Sequence, residues 1–199
     1  MKLDKLRALL LEGNPEFWRH LKVLTEQANG FDELFPLSSW RKKARARQLP
    51  KLEPTSEAIR IAIMGGYSLY PFHELVEHVC EMHGITCEFW LGDYDNYISE
   101  IVDDESELYS FKPQVVMLIP SEHRCRYPGF LNDSRAAQQA AASQVVSSVL
   151  ELAAKVHEKS RAEVILTNFV LPARHDLGAY RSRTLGSDWS FRKQVNLEL

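Results

Sequence analysis

Between Ile59 and His83 the chain changes period. Ile59, Ile61, Ile63 and Met64 form a nearly continuous apolar run of strand length, and Leu69, Phe72, Leu75, Val76 and Val79 then recur at helical spacing. Gly65-Gly66-Tyr67-Ser68 stands between them, so the pattern predicts a strand buried on both faces feeding a helix through a βα turn. Open α/β sheets place their ligands at such turns.

The same reading extends in both directions. Upstream, Leu3, Leu6, Leu9 and Leu10 share one helical face, and Gly13-Asn14-Pro15 stops that helix and starts another at Glu16. Phe17, Leu21 and Leu24 continue an apolar face until Asn29-Gly30, and a third segment runs from Phe31 to Arg47, before Pro50 and Pro54. Residues 1–54 thus read as a helical prefix and linker, and 55–199 as an α/β domain. Downstream, Ile85–Leu91 reads as a second strand, and Val115–Ile119 as a third whose continuous apolar run implies burial on both faces. Between them, the acidic group Asp93, Asp95, Asp103, Asp104 and Glu105 reads as a solvated loop whose tyrosines pack downward. Asp133 or Ser134 can cap a long helix reaching about His157, Glu163–Thr167 reads as a fourth strand, and a short segment starts at Trp189 after a long loop. Strands alternating with helices predict a three-layer, doubly wound and mostly parallel sheet of the SGNH or flavodoxin kind.

Composition narrows the function classes. With 199 residues, 45% of them hydrophobic, the chain has enough apolar side chains for a real core. A net charge of -3 gives no whole-protein field for nucleic acid or an acidic membrane. No run approaches the ~20 apolar residues of a membrane span, and the N-terminus lacks the apolar core of a secretion signal. Cys80, Cys87 and Cys125 leave an odd thiol and no metal-type spacing, which suits buried thiols in a reducing, cytoplasmic setting. Positive charge gathers at Arg41, Lys42, Lys43, Arg45 and Arg47, either a solvated helix face or a surface for an acidic partner protein.

In the predicted sheet the strand ends converge, bringing Gly65, Gly66, Tyr67 and Ser68 toward Gly92, toward Ser121 and His123, and toward Asn168. Ser68 reads either as a helix cap or as a nucleophile with His123 as its base. The glycine pair could also cradle phosphate, although it lacks the G-x-G-x-x-G spacing and a P-loop lysine. The acidic residues between Asp93 and Glu105 do not follow the spacing of a calcium loop. His175-Asp176 are adjacent in a loop, a poor geometry for a triad.

The order of these motifs resembles FkbH-like proteins. In that family a strand ending in Gly-x-Tyr-x-x-Tyr precedes a D-x-x-S-x-L-Y-x-F-x-P segment; here stand Gly92, Tyr94 and Tyr97, then Asp104, Ser106 (one residue closer than in the pattern), Leu108, Tyr109, Phe111 and Pro113. The GNPEFW turn, VILTNFVLPARHDLGAY and the closing FRKQVNLEL are similar as well. The resemblance implies an SGNH-hydrolase-like N-terminal domain followed by a haloacid-dehalogenase-like phosphatase domain. The family dephosphorylates a phosphorylated three-carbon acid and loads a glyceryl unit onto an acyl carrier protein for polyketide assembly. The D-x-D-x-T motif that would bind magnesium does not occur here, so no cofactor is expected in this chain, and the resemblance implies a chain cut short before the phosphatase. Against SGNH hydrolases, Tyr67 stands where the nucleophile would be, with Ser68 one position later. Gly92 matches the oxyanion glycine, Ser121 lies near the expected asparagine, and no Asp-x-x-His follows. The resemblance therefore favours a non-catalytic accessory domain, with an esterase or acyltransferase using Ser68 as one alternative and a phosphate- or nucleotide-binding module as another.

Overall fold

The computed structural model describes residues 2–50, 57–173 and 177–199. His175-Asp176 lie outside the described residues, as does most of the proline-containing linker. The chain divides into two compact units, Met1–Ile59 with Leu69–Phe89, and Arg60–Ser68 with Trp90–Leu199.

The first unit holds α1 (Lys2–Leu11), α2 (Glu16–Glu26), α3 (Phe31–Ala46) and α4 (Phe72–Met82). Leu6, Leu10, Phe17, Trp18 and Leu21 bury the stripes that the leucine spacing announced, and Met82 of α4 joins the same cluster. The helix that follows the first strand in sequence therefore completes the core of the prefix. Its polar face is equally engaged. Arg41, only 1% exposed, donates to Glu77 at 2.7 Å and to Glu81 at 2.9 Å, and Arg45 reaches both carboxylates from the other side. Burial alone would raise the Glu77 carboxyl, but the two guanidiniums outweigh it and hold it at about 2.

The strands β1 (Ile59–Gly65), β2 (Cys87–Leu91), β3 (Val115–Ile119) and β4 (Glu163–Leu166) form a four-stranded parallel sheet, flanked by helices, in the order β2-β1-β3-β4; β3, β4 and all of β1 but Ile59 lie in the second unit. This is the α/β class that the alternating pattern predicts. Register pairs Ile63 with Met117 and Met117 with Ile165, so the two sheet faces can be read directly. On one, Ala62, Met64, Val116 and Leu118 are fully buried. They pack with Tyr97 and Ile101 of α5 (Tyr97–Val102), Leu108 of α6 (Glu107–Phe111) and Val156 of α7 (Arg135–Ser160). On the other, Val115, Met117 and Ile119 are half-buried and Ile165 is 48% exposed. The expectation that β3 is buried on both faces is therefore only half met, because an apolar run does not say how completely each face is covered.

Two further differences have physical reasons. The acidic stretch from Asp93 to Glu105 is not simply a solvated loop: it contains α5, and α6 follows directly, each too short for a 3.6-residue period to repeat visibly. Ser106 caps α6 by accepting from Leu108 N, and the Tyr109 hydroxyl donates to Ile101 O at 2.7 Å. Tyr97 packs into the core, whereas Tyr94 is 70% exposed. Cys80 and Cys87 are half-buried and only Cys125 is fully enclosed, where burial pushes its thiol up to about 12. Among the described residues no helix is long and apolar enough to cross a membrane.

Candidate functional site

Strand order places the topological switch between the C-terminal ends of β1 and β3, where Gly65-Gly66 run beside Ile119-Pro120-Ser121. The approach is too close for side chains. A Cβ on Gly65 would strike Ile119 O, and one on Gly66 would strike Ser121 Cβ and come within 2.9 Å of Asp95 Oδ1. Both glycines are thus required by packing between β1 and β3, independent of any ligand.

The polar groups at this edge are occupied by one another. Gly66 N donates to Ile119 O at 3.0 Å, and Gly92 N donates to Ile63 O at 2.9 Å within the sheet. Neither amide is free to donate to an oxyanion. Ser121, fully buried, accepts from His123 N at 3.2 Å and so caps a short 3-10 turn, Glu122–Arg124. The His123 ring is exposed, with Nε2 3.8 Å from Glu122 Oε1. Ser68 is exposed as well, and no hydrogen bond joins it to His123. Nor does Ser68 cap α4, whose first residue is Phe72 and whose N-cap position is Pro71. Asn168 is exposed just past β4, beside Thr167, whose buried Oγ1 has no partner among the described residues.

The resemblance to SGNH hydrolases puts Tyr67 where their nucleophile would stand; the structure shows what the phenol touches. Its oxygen accepts from Glu122 N at 3.3 Å and lies against the Glu122 carboxylate. Burial, and then that carboxylate, push Tyr67 up to about 12, while the bond from Tyr67 holds Glu122 below the usual carboxylate range. At neutral pH this pair is a neutral phenol donor on an anionic acceptor, not a nucleophile beside a base.

Two arginines that periodicity cannot single out organise the loops around this edge. Arg124 grips Asp95 through two nitrogens, at 3.1 and 3.0 Å, and lies over the Tyr97 ring. Arg192 comes from α8 (Asp188–Glu198), is buried, and donates to Cys125 O and Val170 O, tying the loop after β3 to the loop after β4. Only a signal of long-range contact, such as covariation between positions 125, 170 and 192, could have found it. Among the described residues no group of three or more His, Cys, Asp or Glu side chains is placed to hold a metal ion.

Away from this edge, the basic cluster divides. Arg41 and Arg45 are paired with Glu77 and Glu81, and Lys42 pairs with Glu74. Lys43 lies over the Trp40 ring, and Lys43 and Arg47 are exposed.

No protein-family model matches the chain, and no curated protein matches it. Among solved structures it is similar to the N-terminal part of the protein BF1531 from Bacteroides fragilis, described as containing a phosphatase domain complexed with Mg. The TM-score is 0.54 at 17% identity, covering 91% of this chain and 40% of that one. The chain therefore spans less than half the length of the structure it matches, and what the two share is a fold.

Proposed function

We propose that this chain is a non-catalytic accessory domain of the FkbH-like kind, serving an enzyme that dephosphorylates a phosphorylated three-carbon acid and loads a glyceryl unit onto an acyl carrier protein. The observation that carries the non-catalytic part is the occupation of the strand-end edge. The amides of Gly66 and Gly92 are held by backbone oxygens, and among the described residues Ser68 has no hydrogen bond to a base, His123 included. A hydrolase needs free donors aimed at a developing oxyanion and a base on its nucleophile.

The accessory part is supported by the run from Gly92 to Pro113 and by fold similarity to the N-terminal part of a phosphatase-containing protein. The phosphatase, its magnesium and the glyceryl transfer would belong to a domain outside these residues. The carrier protein's acidic surface would meet Lys43 and Arg47, the exposed members of the basic cluster that lack a carboxylate partner here.

Intact-mass analysis after fluorophosphonate treatment tests the first part. No adduct is expected, and a stoichiometric adduct lost in Ser68→Ala would overturn it in favour of an active esterase. Calorimetric titration with an acyl carrier protein tests the second. Saturable binding weakened by Lys43→Glu with Arg47→Glu is expected, and no binding at all would count against a carrier-docking role.

A further inference from the structure

A groove of about 310 Å³ opens between α5, the loop after β3 and the inner face of α7. Its floor is apolar. Val145, Val149 and Leu152 line up along α7 at helical spacing, with Ile98 of α5 and Phe169, just past β4, closing the sides. Its rim carries two guanidiniums, Arg124 and Arg126, and among the described residues no carboxylate lines it.

The two arginines are not equivalent. Arg124 is held by Asp95 and the Tyr97 ring, so its charge is largely answered. Arg126 is exposed and has no carboxylate or hydrogen-bond partner among the described residues. A positive, forked donor at the mouth of an apolar trench calls for an anion with an apolar tail. The volume lies at the lower end of the range for small-molecule sites.

We propose that this groove binds a medium-chain fatty carboxylate, with the carboxylate on Arg126 and the chain along Val145, Val149 and Leu152. The site is separate from the occupied strand-end edge, and its chemistry holds whether or not a phosphatase domain accompanies the chain.

Calorimetric titration at pH 7.5 with decanoate, decanol and acetate, each below its aggregation limit, tests it. Decanoate should bind one to one, decanol roughly tenfold or more weakly because it lacks the charge-assisted bond, and acetate not measurably. Arg126→Gln should bring decanoate down to the affinity of decanol. Ser148→Trp, which fills the groove from an exposed position on α7, should abolish both. Circular dichroism and thermal unfolding of the two variants confirm that they fold. The proposal is overturned if decanoate does not saturate, if decanoate and decanol bind equally, or if Arg126→Gln binds decanoate like the unaltered chain. An acidic amphipathic peptide binding where decanoate does not would also overturn it.

Discussion

His78 makes the stability of this protein depend on pH in a calculable way. It lies fully buried on α4 with Nε2 2.9 Å from Thr25 Oγ1. The Thr25 hydroxyl proton is already donated to Leu21 O at 2.9 Å, so Thr25 Oγ1 must accept from the histidine, which fixes the Nε2–H tautomer. Nδ1 is then a bare lone pair with no partner among the described residues. A proton added there would be buried without an acceptor and close to Arg41; burial first, and then Arg41, lower the pKa to about 4, against a smaller opposing pull from Glu77. The unfolded chain takes up this proton near pH 6.5 and the folded chain only near 4, so stability is highest above 6.5 and falls as pH drops through that window. Between pH 7.5 and 5.0 the loss is about 2 kcal/mol, from roughly 1.4 kcal/mol per pH unit over the 1.5 units below 6.5. His78→Gln keeps an amide donor for Thr25 and cannot titrate. Urea unfolding followed by tryptophan fluorescence should show the unaltered protein losing about 2 kcal/mol more than His78→Gln between these pH values. The remaining histidines contribute equally to both proteins and cancel. Equal losses in the two would refute the reasoning, because His78 would then titrate normally in the folded state.

Arg41→Met should cost on the order of 3 kcal/mol in the same assay, since it strips a buried partner from Glu77 and Glu81. Arg45→Met, at a site 35% exposed, should cost less than about 1 kcal/mol, and similar losses for the two would mean that burial does not decide the strength of these pairs. Gly66→Ala should destabilise by roughly 1–3 kcal/mol without any ligand present, because its Cβ meets Ser121; a neutral effect would show that β1 and β3 can separate and that the glycine is not a packing requirement.

Local pattern carried most of the elements. The leucine stripes of the prefix, the apolar run of β1, the serine cap at Ser134 and the alternation of strands with helices each reflect forces acting within a few residues, and each is present in the structure. The short helices α5 and α6 escaped because five or six residues cannot display a period, and they are held by Tyr109 on Ile101 O and by the burial of Tyr97 and Leu108. Gly65, Gly66, Gly92, Ser121 and Asn168 could be placed at strand ends from sequence, since a parallel sheet leaves them no other edge.

What those residues do there was settled by partners distant in sequence. Whether the amide of Gly92 is free depends on Ile63 O, what Tyr67 touches depends on Glu122, and whether Arg41 can meet another protein depends on α4, 31 or more positions away in the chain. The sequence by itself determined where strands and helices form, because turns, caps and apolar periodicity are short-range. Only the tertiary structure decided which polar groups are occupied and which remain free, because a hydrogen bond or ion pair needs its two ends within about 3 Å, and that distance is set by packing.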